Sequence, residues 1–257
     1  NALYVYQYYV SDNKRLQSAW HKWTFGTAST DKILNIDFIE NTLYIVNERS
    51  DGVYLESLDI SPASVDASAT YLTYLDRKIQ DDTTGVTVAY SSGTGLTTIT
   101  LPYTIKNTMK VVGRVGGSNT AGQAITTASQ TGTNITITGD YSSANLWIGE
   151  QYEFSFVFSQ QFIQVADSVG ARISVKEGRL QIRNWNVSFN DTGYFTTEVI
   201  PVGRDTSTST YTGTVVGSGA LGTVSLDDGD FTFSVQSEND KLTVSLKNDS
   251  HLPSNFI

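Results

Sequence analysis

Apolar and polar residues alternate one by one along much of this chain, the period of a half-buried β-strand. Tyr152, Phe154, Phe156 and Phe158 alternate with Glu153, Ser155, Val157 and Ser159, which predicts one strand with an aromatic face from Glu150 to Ser159. Phe231, Phe233 and Val235 alternate with Thr232, Ser234 and Gln236. Beyond the turn at Ser237–Lys241, Leu242, Val244 and Leu246 alternate with Thr243, Ser245 and Lys247. This pattern predicts a hairpin with one buried face. Between Leu180 and Phe189 the parity slips: Leu180 and Ile182 share one face, and Trp185, Val187 and Phe189 the other. A slip of one residue flips the faces of a strand. Either a bulge sits near Arg183-Asn184 or both faces are buried there.

The first part of the chain reads as a meander. Strands Leu3–Val10, Leu16–Phe25, Ile33–Ile39, Leu43–Val46 and Val53–Ile60 are separated by turns such as Glu40-Asn41 and Arg49–Gly52. Up-and-down strands without a long crossover favour propeller blades. Residues 62–70 are small and polar and read as a linker. A β module at 71–171 follows, with strands near Val86–Tyr90, Leu96–Leu101, Lys110–Val115 and Asn134–Thr138. In it Gly116–Thr133 reads as an exposed loop and Gln160–Gly170 as the one stretch open to a short helix. A further β module spans 172–257. The expected fold is therefore all-β: a partial β-propeller meander in residues 1–61, then two modules like β-sandwiches or barrels. The 14 Tyr and 11 Phe agree with strands, since aromatic side chains fit a pleated, half-buried surface.

The formal charge is −9, and no run of Lys or Arg occurs. A sequence-independent grip on phosphates needs clustered cations, so specific nucleic-acid binding is not expected. Passive contact with DNA is compatible with an acidic surface. With no cysteine, disulfides and thiolate metal sites are excluded. No apolar stretch has the length of a membrane-spanning helix. The start at Asn1 without Met and the apolar end Phe256-Ile257 lead us to expect a fragment of a longer polypeptide.

Motifs that carry chemistry elsewhere have simpler readings here. Gly217–Gly222 spells GxGxxG, but Thr223–Leu226 after it reads as strand, whereas a dinucleotide site needs a helix there. Asp227-Asp228-Gly229-Asp230 lacks the spacing of a calcium loop and reads as a turn before a strand. The two histidines, His21 and His251, have no GxSxG elbow to serve. The acids Asp37, Glu40, Asp76, Asp81 and Asp82 include no pair marked out as the two carboxylates of a glycosidase. Trp20, Trp23, Trp147 and Trp185 read as packing residues for the most part, with a sugar-stacking platform as the alternative. No catalytic, cofactor-binding or metal-binding residue is assigned, and no enzyme is expected.

Several segments in order resemble the tail tubular protein B (nozzle) family of T7-like short-tailed bacteriophages, in its C-terminal part. These are Gln17–Phe25, Gly52–Glu56, Tyr74–Arg77, Gly178–Trp185 and His251–Phe256. The resemblance implies a structural virion component of the phage tail, part of a hexameric nozzle through which DNA is ejected. It also implies a ring of adaptor subunits (tail tubular protein A) above it and tail fibres near the joint. The rival readings are a tail-associated carbohydrate hydrolase and a host-receptor-binding module.

Overall fold

The computed structural model describes residues 2–11, 13–25, 31–60, 72–117, 119–166, 168, 172–175, 179–213 and 224–257. It is all-β: every regular element among these residues is a strand. The chain forms two compact units, Asn1–Ala63 and Ser64–Ile257. The expected linker at 62–70 lies outside the described residues, as does the glycine motif Gly217–Gly222.

In the first unit, β1 (Ala2–Ser11) and β2 (Lys14–Thr24) form an antiparallel ribbon with Tyr6 opposite Trp20. At its turn Asn13 takes φ +59°, a left-handed conformation that Asn tolerates better than most residues. Strands β3 (Lys32–Ile39), β4 (Thr42–Arg49) and β5 (Gly52–Asp59) form the expected meander, with β4 central. Along β4 the alternation is strict: Leu43, Ile45, Asn47 and Arg49 are buried and their neighbours are not. The polar pair at its end is answered across the sheet. Glu56 accepts from Asn47 Nδ2 at 2.6 Å and from Arg49 Nη2 at 2.6 Å. Among the described residues no sheet closes into a barrel or a propeller.

The second unit begins with β6 (Asp76–Gln80), β7 (Thr87–Ser91), β8 (Leu96–Thr100), β9 (Met109–Gly113), β10 (Ala124–Ile125), β11 (Thr127–Thr131), β12 (Asn134–Thr138) and β13 (Leu146–Glu150). They make two four-stranded sheets, ordered β10-β9-β13-β6 and β11-β12-β8-β7. Ile99, Val111, Val112, Ile135, Ile137, Leu146 and Ile148 have no exposed surface. The expected loop Gly116–Thr133 thus contains two strands. Its Thr, Ser and Gln residues pair at sheet edges, where little apolar surface is needed, and Ile125 is its one buried large apolar side chain. Gln130 on β11 extends the pairing between sheets: its side-chain amide accepts from Met109 N at 2.9 Å and donates to Met109 O at 2.8 Å.

The expected strand Glu150–Ser159 is two strands. β13 ends at Glu150, and β14 (Phe154–Val157) starts in a different sheet, paired with residues 245–248. The stretch open to a helix instead contains β15 (Ile163–Ala166), which pairs with β16 (Arg172–Val175). β17 (Gln181–Thr192) carries a register shift between Ile182 and Asn184, the bulge that was one of the two readings of the parity slip. β18 (Tyr194–Pro201), β19 (Ser207–Thr212), β20 (Asp227–Glu238), β21 (Leu242–Asn248) and β22 (Asn255–Phe256) complete the chain.

The expected hairpin of β20 and β21 does not form. β20 pairs with β17 in the sheet β20-β17-β22, and β21 lies in the sheet β14-β21-β18-β19. Each has one buried face, but the two faces meet a shared core instead of lying side by side. That core joins Val187, Phe189, Phe233 and Val235 from one sheet with Phe195, Val199, Val244 and Leu246 from the other. Phe195 is fully buried at its centre, its ring 5.6 Å from Phe189, 5.0 Å from Tyr211 and 5.2 Å from Phe256. Alternation fixes which side chains are buried; it does not say which strand lies alongside.

Candidate functional site

The residues singled out in the sequence do not converge. His21 stands on β2 opposite Val5. His251 belongs to the other unit and is buried, its Nε2 2.8 Å from the Gly122 carbonyl oxygen. Its own carbonyl accepts the Tyr74 N–H at 2.9 Å. Burial lowers the His251 pKa, and the nearby Lys110 charge adds to this, against a raising effect from the Gly122 bond. A neutral imidazole therefore fastens the C-terminal segment to the sheets of residues 72–151.

Asp37 is exposed and caps the Phe38 N–H at 2.8 Å, and Glu40 occupies a turn with φ +55°. Asp81 accepts the Leu146 N–H at 2.6 Å and Arg114 Nη2 at 3.3 Å, while the same guanidinium reaches Asp82 at 3.6 Å. Arg114 also lies 5.6 Å from the centre of the buried Trp147 ring. One cation is thus shared between two carboxylates, in a clamp between the turn after β6 and the start of β13. Asp76 accepts the Arg77 N–H at 2.9 Å. Asp227–Asp230 are not a turn but the first residues of β20. Asp228 accepts the Asp191 N–H at 2.8 Å, and Asp230 accepts from Ser188 Oγ at 2.6 Å. Among the described residues no group of three His, Asp or Glu side chains is placed to hold a metal ion.

The tryptophans have separate roles. Trp147 is buried, Trp185 packs 4.9 Å from Phe158, Trp23 is half-buried, and Trp20 is 69% exposed. A depression of about 230 Å³ is lined by Phe158, Trp185, Gln161, Asn239, Asp240 and Leu242, among others. Its single ionisable side chain is Asp240.

What the surface does offer is apolar area on sheet faces. In the meander, Ile36 and Phe38 are exposed beside buried Ile45 and Leu43. Val53 and Leu55 are exposed on the opposite face, at 61% and 72%. Single exposed apolar residues are ordinary; here neighbouring ones stand on both faces of one small sheet.

The family model for the bacteriophage nozzle protein matches residues 1–257. The chain belongs to the bacteriophage nozzle protein family. It is similar to tail tubular protein gp12 of Escherichia phage T7, at 24% identity over 265 residues, covering 99% of this chain and 32% of that protein. The nozzle chain therefore spans about a third of the length of this curated relative. It is a structural component of a phage tail, and its place is the virion.

Two features of this nozzle chain were not picked out from the sequence. One is the buried pair of Arg77 and Glu150, where Asn107 Nδ2 also donates to Glu150 at 2.8 Å and the guanidinium lies 3.8 Å from the Tyr103 ring centre. An acid closing the otherwise apolar run Leu146–Gly149 was the available signal for Glu150. The other is the aromatic face of β1, signalled by Tyr at positions 4, 6 and 8.

Proposed function

We propose that this chain forms part of the wall of a ring-shaped tail nozzle through which phage DNA is ejected. The observation that carries the reading is apolar surface on both faces of the β3-β4-β5 sheet, in a chain matched from end to end by the nozzle family. Such faces are stabilised when neighbouring polypeptide covers them, each residue contributing roughly 25 cal/mol per Å² of apolar area removed from water. In this reading residues 1–61 are a portion of a β-propeller, 62–70 a linker, and 71–171 and 172–257 two sandwich-like modules. The ring is a hexamer of heterologous contacts, joined to an adaptor ring and to tail fibres.

The formal charge of −9 supports a conduit that repels DNA and lets it slide. No catalytic, cofactor or metal role belongs to this reading. A carbohydrate hydrolase would require two carboxylates about 5–10 Å apart in a cleft, and the depression beside Trp185 holds one. Electron microscopy of the full-length protein tests the proposal. Rings with a central channel are expected; a monomer at micromolar concentration, or a strongly basic channel wall, overturns it.

A further inference from the structure

The outward face of the β1–β2 ribbon has an unusual composition for a free surface. Tyr4, Tyr8 and Trp20 are 68%, 60% and 69% exposed. Tyr8 and Trp20 are held through Tyr6, whose ring lies 4.9 Å from Trp20 and 5.8 Å from Tyr8. Arg15 crosses over this row, 5.8 Å from the centres of both the Tyr6 and Tyr8 rings, with Nη1 donating to the Tyr6 hydroxyl at 2.9 Å. Lys22, opposite Tyr4 in the register, and Lys14 are exposed as well. Trp, Tyr and Arg are the residue types that dominate the energetics of protein interfaces. Because stacking already holds these side chains, docking has less rotamer freedom to remove.

Charge points to the partner. Residues 2–25 hold Lys14, Arg15 and Lys22 against Asp12, a formal charge of +2 in a chain of −9, which leaves −11 on the remainder. None of the three cations is ion-paired among the described residues. The complementary surface is the outward face of β17 and β20. There Asp230 is held by Ser188 Oγ at 2.6 Å and Asn186 Nδ2 at 3.3 Å, and Thr232 donates to Asn186 at 3.0 Å. Asp228 and Asp191 are exposed at its end. Among the described residues, no Lys or Arg is ion-paired with Asp191, Asp227, Asp228 or Asp230. Its row of carboxylate, amide and hydroxyl groups suits the phenol, indole and guanidinium donors of the ribbon.

We propose that the aromatic, cationic face of the β1–β2 ribbon docks on the β17–β20 acidic face of a second copy of this chain. The inference rests on the ring reading above and specifies one of its heterologous contacts. Two different patches on one subunit, each meeting the other patch on a neighbour, make a heterologous contact, which forms a ring when its rotation closes.

The test uses the full-length polypeptide and two charge-reversal variants, Arg15→Glu/Lys22→Glu and Asp228→Lys/Asp230→Lys. Assembly is followed by sedimentation velocity and folding by circular dichroism. All four side chains are exposed, so both variants are expected to fold like the parent. Each alone is expected to raise the concentration needed for ring assembly at least about tenfold, since like charges then face each other. Mixed in equal amounts, they are expected to recover assembly, because every contact is again between opposite charges. Parent-like assembly of either variant alone overturns this interface while leaving the ring reading intact. Failure of the mixture to recover also overturns it, since a contact within one chain cannot be repaired by mixing. A parent protein that forms no ring removes the ring reading and this inference together.

Discussion

Arg77 Nη1 lies 3.1 Å from Glu150 Oε1, with side chains only 4% and 2% exposed. Each charge has left water and depends on the other for compensation. Asn107 and Tyr103 complete the surroundings, and Arg77 itself adopts φ +47°. The pair ties the first residues of β6 to the last residue of β13, 73 positions apart.

Removing one partner is therefore expected to cost far more than removing both. Glu150→Ala leaves a buried guanidinium and is expected to lower unfolding free energy by about 3–5 kcal/mol. The double variant Arg77→Met/Glu150→Leu replaces the pair by apolar groups of similar size. It is expected to recover most of that loss. Urea unfolding of the three proteins checks this; a double variant as unstable as Glu150→Ala contradicts it.

Gly149 sits between the residues of this site and is required by space, not by a left-handed backbone. A Cβ there would lie 2.7 Å from Leu75 Cβ and 2.9 Å from the Asp76 carbonyl oxygen. Both are fixed in the chain segment that runs into β6, so neither gives way cheaply. Gly149→Ala is expected to destabilise by about 1–3 kcal/mol, the usual cost of forcing an extra carbon into a packed region. Gly132→Ala is a useful contrast. No atom would approach a Cβ there within 4 Å, but φ is +63°, so its penalty comes from the backbone alone. It is expected to be smaller, about 1 kcal/mol. Thermal melting of both variants distinguishes crowding from backbone strain.

Where alternation is strong, strand identity was legible from residues; strand partnership was legible in the β3-β4-β5 meander but not for β20 and β21. The alternation of Phe231, Phe233 and Val235 and of Leu242, Val244 and Leu246 correctly marks the buried side chains of β20 and β21. A turn of a few polar residues is equally compatible with a hairpin and with a step between two packed sheets. Only the shared core around Phe195 decides for the second. The slip near Arg183 was readable because parity is a strict count. The strands in Gly116–Thr133 were hidden because edge pairing by Thr, Ser and Gln needs hydrogen bonds more than apolar surface. For Glu150 the sequence offered a signal but no partner: Arg77 is brought to it only by the sheet order β9-β13-β6.

The exposed apolar residues of the meander make an opposite kind of prediction. Leu55 is 72% exposed and Val46, its partner across the ladder, is half-buried. Leu55→Ser removes apolar surface that the isolated chain leaves in water. Its stability is expected to stay within about 0.5 kcal/mol of the parent. If that face is covered in the tail, the same change in the full-length protein is expected to weaken assembly or folding. Equal effects in both contexts would show that the face stays uncovered.

His251 gives a dependence on pH whose sign follows from its burial. The folded-state pKa is lowered below the ordinary 6.5, so the unfolded chain binds a proton more readily than the folded one. Above pH 6.5 both states hold a neutral ring and His251 contributes no slope. As pH falls below 6.5, stability is lost progressively until the folded-state pKa is reached. Protonation then leaves a charged ring against Gly122 and near Lys110, at the point where the C-terminal segment meets the sheets of residues 72–151. His251→Gln keeps a donor for the Gly122 carbonyl but cannot titrate. The parent is expected to lose stability between pH 7 and pH 5 by an amount that the Gln variant does not lose. Urea midpoints of the two proteins at both pH values measure the difference, and parallel pH profiles would show that His251 does not act at this joint.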